Sequence, residues 1–324
     1  MRISVALCTR DGLPFVREQV ASVLAQTRPA DQLVVSDDAS SDDTVRVVEA
    51  AVGAAGDAAP ALVVLRNDPP LGVTRNFEQA LLATDGDLLV LCDQDDVWEP
   101  DRLARLEERF RVEPGLDALF GDAVIVDGDG NPTGATLFGM VEVGGDELAA
   151  VESGAAAFEV FLHRNLATGA TMALRRRLLD RAVPFPAHWV HDEWLAMLAA
   201  ADGRLGVERR PLVRYRIHGG NTIGVVEPTL RRKIARVLER RGDRNRVLAH
   251  RGAELAAYLR SHRAPERVVA LSRSKALFEL RRARLPRVRL LRVGPVLILA
   301  ARGDYHRFAS QGPLDIVRDL LQPA

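Results

Sequence analysis

Leu88-Leu89-Val90-Leu91-Cys92-Asp93-Gln94-Asp95-Asp96-Val97-Trp98 sets an unbroken apolar run directly against three carboxylates. The run reads as a buried strand, short and rich in branched side chains. Delivering carboxylates at its C-terminal end is costly, because each needs water, a cation or hydrogen bonds. In open α/β sheets that end of the strands is where ligands sit. Hard oxygen donors there suit Mg²⁺ or Mn²⁺, held by one or two carboxylates together with substrate phosphates. The other reading is a solvated loop that opens the next helix, since Asp favours helix N-termini.

Around this strand the first ~130 residues alternate β-rich runs with segments of helical period, the pattern of βαβ units and a parallel sheet. Ile3–Cys8 is the first expected strand, and Pro14–Gln26 a helix with Val16, Val20, Val23 and Leu24 on one face. Leu33–Ser36 is the second strand, followed by the cap Ser40-Ser41-Asp42-Asp43 and a helix over Thr44–Ala54. Ala61–Leu65 and Leu88–Leu91 are further strands, with helices at Gly72–Ala83 and Pro100–Phe110. Ala118–Val126 is then expected as one strand, ending in the tight turn Asp127-Gly128-Asp129-Gly130-Asn131. Phe138–Glu152 is Gly-rich and reads as a mobile loop beside a substrate. Ala155–His163 is expected as helix, Thr168–Leu174 as strand, Arg176–Arg181 and Glu193–Ala201 as helices, and Val207–Ile217 as strand. Thr229–Arg284 is Arg-rich and helical in period, and no internal repeat is present.

The 324 residues suffice for one large domain with an appendage. Forty-four basic residues balance 44 acidic ones, yet the balance is uneven along the chain. From Glu227 onward 23 basic residues face 9 acidic ones, which points to an anionic partner for the tail. The basic clusters are Arg231-Arg232-Lys233, Arg240-Arg241 and Arg281 through Arg292. They are not interleaved with stacking aromatics, which disfavours nucleic acid. Two cysteines, Cys8 and Cys92, allow no disulfide framework and suit a reducing compartment. Ile3–Leu7 is too short for a signal-peptide core. No run approaches the roughly 20 apolar residues of a spanning helix; Val293–Ala301 is interrupted by Gly294-Pro295 and flanked by Arg292 and Arg302. The expected location is cytoplasmic, with peripheral contact on the inner face of the cell membrane. If the first and fourth strands are neighbours, Cys8 and Cys92 should lie close together as reduced thiols.

Four polar features fall at one end of the inferred sheet: Thr9-Arg10-Asp11, Asp37-Asp38, Asp93–Asp96, and Arg75-Asn76 at the head of the third helix. A nucleotide needs partners for its base and ribose and a counter-charge for its diphosphate. Thr9 and Asp38 are placed to read a pyrimidine edge, Asp93 a ribose hydroxyl, Asp95 a metal and Arg75 a phosphate. No G-x-G-x-x-G follows the first strand, which disfavours a dinucleotide fold.

The opening Val5-Ala6-Leu7-Cys8-Thr9-Arg10-Asp11, with Leu24-Ala25-Gln26-Thr27 and Val35-Ser36-Asp37-Asp38-Ala39-Ser40-Ser41-Asp42, resembles that of family 2 glycosyltransferases of the GT-A fold. Asn67 through Gly72 and Arg75-Asn76 fit the same pattern, and Asp93-Gln94-Asp95-Asp96-Val97-Trp98 with Pro100-Asp101-Arg102-Leu103 resembles that family's metal-binding D-x-D region. The Asp-Gln-Asp-Asp form looks most like the rhamnosyltransferase branch. The resemblance covers about residues 1–225. It implies a mixed central sheet flanked by helices over 1–226, with a nucleotide-sugar half to about 112 and an acceptor half from about 113 to 226. Residues 227–324 follow as an Arg-rich helical extension.

The function so implied is an inverting transferase that uses Mg²⁺ or Mn²⁺ and a dTDP- or UDP-sugar, with a glycan or lipid-linked acceptor. Thr9, Arg10, Asp11, Asp38, Arg75 and Asp93 would line the donor, and Asp95 with His218 would hold the metal. His191-Asp192-Glu193-Trp194 resembles the family's acidic motif and makes Asp192 the base; capping of the helix is the plainer reading. His191, Trp194 and Gly169 would lie on the acceptor side, with Trp189 and Trp194 either stacking on a sugar or packing the core. His218 follows a strand in Tyr215-Arg216-Ile217-His218-Gly219-Gly220-Asn221, as a ligand, a phosphate contact or a structural residue. The Q-x-x-R-W signature of processive synthases is absent, which favours single-sugar addition. The lipid nature of many acceptors in the family implies anionic membrane as the partner of the tail, an Arg-rich solvated face being the plainer reading. A sugar-nucleotide nucleotidyltransferase would need a Gly-rich loop after the first strand, where only Gly12 stands. An inactive nucleotide-binding module is the remaining alternative, against which Asp95, Asp192 and His218 stand together.

Overall fold

The computed structural model describes residues 1–154, 156–219 and 242–323. Arg231-Arg232-Lys233, Arg240-Arg241 and Gly220-Asn221 lie outside the described residues. Strand and helix alternate first as β1 (Ile3–Thr9), α1 (Leu13–Leu24), β2 (Gln32–Asp37), α2 (Thr44–Ala54), β3 (Ala61–Arg66), α3 (Val73–Leu82) and β4 (Leu88–Cys92). β1, β2 and β4 are buried along their whole length, as strands covered on both faces require. Pro14 starts α1, whose Val16, Gln19, Val20 and Val23 recur at helical spacing and are buried.

Beyond β4 come β5 (Val97–Trp98), α4 (Arg102–Val112), β6 (Ala118–Gly121), β7 (Val124–Val126) and β8 (Pro132–Thr136). They are followed by α5 (Leu137–Met140), α6 (Gly145–Glu152), α7 (Ala157–His163), β9 (Ala173–Arg175), α8 (Arg176–Ala182), α9 (His191–Ala201), β10 (Leu205–Glu208) and β11 (Val213–Arg216). The final helices are α10 (Arg244–Ser261), α11 (Glu266–Ala283), α12 (Val293–Ala301), α13 (Asp304–Phe308) and α14 (Pro313–Leu321). The strands form a seven-stranded sheet, β10-β6-β9-β4-β1-β2-β3, and a four-stranded sheet, β5-β11-β7-β8. β1 runs parallel to both β2 and β4, while β9 lies antiparallel between β4 and β6. This is the expected mixed sheet with its helices and a helical C-terminal region.

Several local expectations change. Ala118–Val126 is two strands, one in each sheet, because the chain turns at Asp122, whose carboxylate accepts from the backbone N–H groups of Ala123 and Phe138. Val207–Ile217 likewise splits into β10 and β11 in different sheets. Thr168–Leu174 is a 3₁₀ turn over Gly169–Thr171 leading into β9. Phe138–Glu152 contains α5 and α6 instead of a loop; Thr136 caps the first and Glu147 reaches back to the Gly144 N–H at the second.

The strands of Cys8 and Cys92 do neighbour each other, and both thiols are free and buried. The register nevertheless pairs Cys92 with Leu7, so alternation turns the two sulfurs to opposite faces of the sheet. The two thiols are still near enough for Cys92 to raise Cys8 electrostatically, so the expected proximity holds across the sheet and not on one face of it.

The chain divides into two compact units. The first comprises Met1–Gly154, Leu166–Ala200 and Arg204–Val226, and the second Ala155–Asn165, Ala201–Gly203 and Glu227–Ala324. In the first, Val5, Leu7, Leu33, Val35 and Val90 form one core with Val16, Val20, Val23 and Phe110. In the second, Phe278, Val296, Leu299, Tyr305 and Phe308 form another. No helix among the described residues is long and apolar enough to cross a membrane.

Candidate active site

Because β1, β2 and β4 are parallel and in register, the loops that leave them emerge at one edge of the sheet. Thr9 and Asp37 are register partners, and the Thr9 hydroxyl donates to Asp37 Oδ1 at 2.6 Å. Asp11 has a left-handed backbone (φ 46°), and its carboxylate accepts from the Ser41 N–H at 2.7 Å and hydroxyl at 2.9 Å. Gln94 clips this loop to the acidic one, accepting from the Arg10 N–H at 2.7 Å and donating to the Arg10 carbonyl at 2.9 Å. A Cβ at Gly12 would stand 2.3 Å from Gln94 Oε1, so a larger residue there would have to displace the Gln94 amide from its bonds to Arg10. Asp38 is buried and accepts from the N–H groups of Leu71 (2.6 Å) and Gly72 (2.9 Å). It thereby anchors the loop that starts α3. Arg10 Nη1 lies 3.9 Å from Asp38 with its side chain largely exposed, and Arg75 pairs with Glu78.

The acidic loop sits against the second sheet. His218 Nε2 and Asp95 Oδ2 are 2.9 Å apart, and the His218 ring packs on Phe15 with centroids 4.5 Å apart. Arg216, buried two residues earlier, stacks over the same Phe15 ring at 5.0 Å. Its backbone N–H donates to Asp96 Oδ1 at 3.0 Å, and its guanidinium donates to the Asp95 carbonyl (2.8 Å), the Gly128 carbonyl (3.0 Å) and Glu18 (2.5 Å). Asp93 is pushed up to about 7, by burial first and then by the carboxylates of Asp95 and Asp192. Asp96 is held well above the usual carboxylate range by burial and by Asp95 and Asp93. Burial pushes Arg102 down to about 10, against the pull of Cys92, Asp96 and Asp93, while it stacks over Trp98 at 4.1 Å. Asp96 Oδ2 and both terminal nitrogens of Arg102 are buried without a hydrogen-bond partner in the protein, a pattern that calls for bound water.

Asp192 lies in the first turn of α9 and joins the cluster electrostatically through Asp93. Its Oδ2 accepts from the Gly169 N–H at 2.9 Å and its Oδ1 from the Glu193 N–H at 2.6 Å. His191 is buried and stacked on Phe77 at 4.0 Å, and neither ring nitrogen has a hydrogen-bond partner in the protein. Burial pushes it down to about 3, so the ring is neutral. A Cβ on Gly169 would stand 2.8 Å from His191 Nε2, which makes Gly169 a close-approach position. Trp194 is fully buried, donates to the Ala182 carbonyl at 2.9 Å and packs on Trp189. It offers no face to an acceptor sugar; of the two readings of Trp194, core packing is the one its position allows.

The structure thus gathers Asp93, Asp95, Asp96, Asp192 and His218 within one unit. Sequence reading missed the functions of Arg216, Arg102, Gln94 and Phe15. Arg216 was legible in principle, since it ends the strand that leads into His218, which was already singled out. Arg102 and Phe15 carry no such signal. Among the described residues no group of three or more His, Cys, Asp or Glu side chains is placed to hold a metal by itself. Asp95 and His218 supply one oxygen and one imidazole donor, a set that fits a divalent ion completed by phosphate oxygens and water.

The profile of glycosyl transferase family 2 matches residues 4–182. An uncharacterized glycosyltransferase of Nostoc sp. (strain PCC 7120) is 26% identical over 238 residues, 68% of this chain and 66% of that protein. This chain therefore spans slightly less than two thirds of that relative. The fold is also that of S. aureus TarS residues 1–349. The crystal structure in complex with UDP-GlcNAc covers 98% of this chain and 90% of TarS 1–349, with a TM-score of 0.55 and 20% identity. The complex with UDP gives 98% and 89%, with a TM-score of 0.54 and 18% identity. The fold class is GT-A.

Gly169→Ala should destabilise the protein by about 1–3 kcal/mol through overpacking against His191. In urea unfolding, that cost should shrink when His191→Ala is combined with it; strictly additive losses would show that the ring is not what Gly169 accommodates. A second expectation concerns pH. His191 has a folded value depressed to about 3 from 6.5, so the unfolded chain binds the extra proton between those values. Its contribution is complete above about pH 6.5 and is lost as pH falls towards 3. His191→Asn should flatten the fall in stability between pH 6 and 4 by up to about 1.4 kcal/mol per pH unit.

Proposed function

The chain belongs to glycosyl transferase family 2, and we propose that it is an inverting enzyme moving one sugar from a dTDP- or UDP-sugar to a hydroxyl of a glycan or lipid-linked acceptor. The observation that carries this reading is the Asp95–His218 contact at 2.9 Å, set beside Asp93 and Asp192 at the C-terminal edge of parallel strands. The Asp93-Gln94-Asp95-Asp96 form makes rhamnose the sugar of choice. Residues to about 112 are assigned to the nucleotide-sugar half and those to 226 to the acceptor half. The basic region from 227 onward is assigned to contact with anionic membrane on the cytoplasmic face.

In this reading Asp95 and His218 would hold Mg²⁺ or Mn²⁺, which when bound supplies a counter-charge to the departing diphosphate. Thr9, Arg10, Asp11 and Asp38 form the base and ribose end, with Arg75 near the phosphates. Asp93, sharing its environment with two other carboxylates, suits a hydrogen bond to a sugar or ribose hydroxyl. Asp192 takes the proton of the acceptor hydroxyl, whose oxygen bonds to the anomeric carbon as the bond to diphosphate breaks on the opposite face. The Gly169 and Glu193 N–H groups hold the Asp192 carboxylate in place, and the start of α9 adds its dipole. His191 stays neutral behind it and so does not compete for the proton.

Calorimetric titration of dTDP, UDP and GDP, each with and without Mn²⁺, tests the donor site. One diphosphate should bind in a metal-dependent way, and Asp95→Ala or His218→Ala should abolish that dependence. Asp192→Asn should keep the diphosphate affinity while the transfer rate falls on the order of 10²–10⁴-fold. Absence of binding by all three diphosphates would overturn the transferase reading.

A further inference from the structure

Between Glu279 and Asp304 the chain contains seven arginines and no acidic residue. Two of the seven are consumed inside the second unit. Arg282 is buried against Glu279, Asp315 and Asp319 at 2.7–3.2 Å, and Arg292 donates to the carbonyls of Pro286, Arg287, Asp319 and Gln322. Arg281 leans towards Asp304 at 3.9 Å. Arg284, Arg287, Arg289 and Arg302 are exposed.

Between those arginines the same stretch exposes large aliphatic side chains. Leu290 is 84% exposed, Leu291 63%, Leu297 59%, Val288 57% and Ile298 56%, with Val293 at 43%. They belong to one contiguous structure, the 3₁₀ turn Arg289–Arg292 running into α12, and both elements pack against α14. α14 adds an exposed Leu314, Val317 and Leu321 at helical spacing. Monomeric soluble proteins scatter such residues singly, and a concentration of them marks an interaction surface. α12 has nine residues, about 13 Å of helix, which is far short of a bilayer core.

We propose that this face, the Arg289–Arg292 turn with α12, seats the protein on the surface of an anionic lipid bilayer. The leucines enter the headgroup–acyl boundary and the flanking arginines meet the lipid phosphates. Apolar side chains ringed by cationic ones are the composition of an interfacial element. A symmetric pairing of two copies through the same face would set Arg284, Arg287, Arg289 and Arg302 against their own counterparts, which like-charge repulsion penalises. Exposed leucines offer nothing to a nucleic-acid backbone, and the patch has no aromatic ring for base stacking. The proposal gives the membrane contact assigned above a defined surface, yet it requires no catalytic activity.

The test is co-sedimentation of the full chain with vesicles of phosphatidylcholine, with and without phosphatidylglycerol, at low and high salt. The wild type should bind the anionic vesicles, with binding weakened by salt and largely lost on phosphatidylcholine alone. Combined Leu290→Glu and Leu291→Glu should weaken binding by roughly tenfold or more, and so should combined Arg287→Glu and Arg289→Glu. All these positions are exposed, and circular dichroism with nucleoside-diphosphate titration checks that each variant is folded. Three results would overturn the proposal: no sedimentation with any vesicle, binding indifferent to both pairs of substitutions, or a wild-type dimer that the leucine substitutions dissolve. The last would assign the face to a second copy of the chain. Diphosphate binding is read separately, so failure here leaves the donor-site reading untouched.

Discussion

Four carboxyl groups, Asp93, Asp95, Asp96 and Asp192, interact at one edge of the sheet, and most of the local structure answers their mutual repulsion. Two unit charges 4 Å apart in a partly buried site repel by about 4 kcal/mol, so several full charges cannot persist there unaided. The protein relieves the repulsion in two ways. Asp93 and Asp96 are shifted up, so that protons share the site. Arg102 and Arg216 place fixed positive charge behind it, each laid over an aromatic ring, Trp98 and Phe15. Phe15 also supports His218, so one ring orients both the counter-charge and the imidazole.

The loops at this edge are held by the residues that look like ligand contacts. Asp38 spends its carboxylate on the Leu71 and Gly72 N–H groups, Asp11 on Ser41, and Thr9 on Asp37. A polar residue after a strand therefore carries two meanings at once, and the sequence cannot divide them. The same holds on the other side: His191-Asp192-Glu193-Trp194 was legible as a unit, yet its members part company in space. Asp192 faces the carboxylates, while His191 and Trp194 are buried in packing.

In the second unit the uneven charge of the chain resolves into two populations. Arg282 and Lys275 are buried in a network with Glu279, Asp315 and Asp319, which Tyr305 joins through a 2.6 Å hydrogen bond to Asp319. Such a network is costly to desolvate, so it adds little net stability, yet removing one partner would leave a buried charge uncompensated. The remaining arginines are left outside, beside leucines that no core absorbs. A count of charges along the sequence shows the excess but not which charges are spent internally.

The alternation of apolar runs with helical periods was enough to set the parallel β1, β2 and β4, their helices, and the edge at which polar residues gather. Local hydrophobic pattern and short connections dictate these. Where one continuous run feeds two sheets, as in Ala118–Val126 and Val207–Ile217, pattern alone fails, because the break depends on tertiary partners such as the hydrogen bonds around Asp122. Register is equally a tertiary property: a single-residue offset turned Cys8 and Cys92 to opposite faces. The meeting of Asp95 with His218 and of Asp192 with Gly169 joins segments 123 and 23 residues apart. The chemistry of each residue is written in the chain, but its partners are chosen only when distant strands and a helix end pack together.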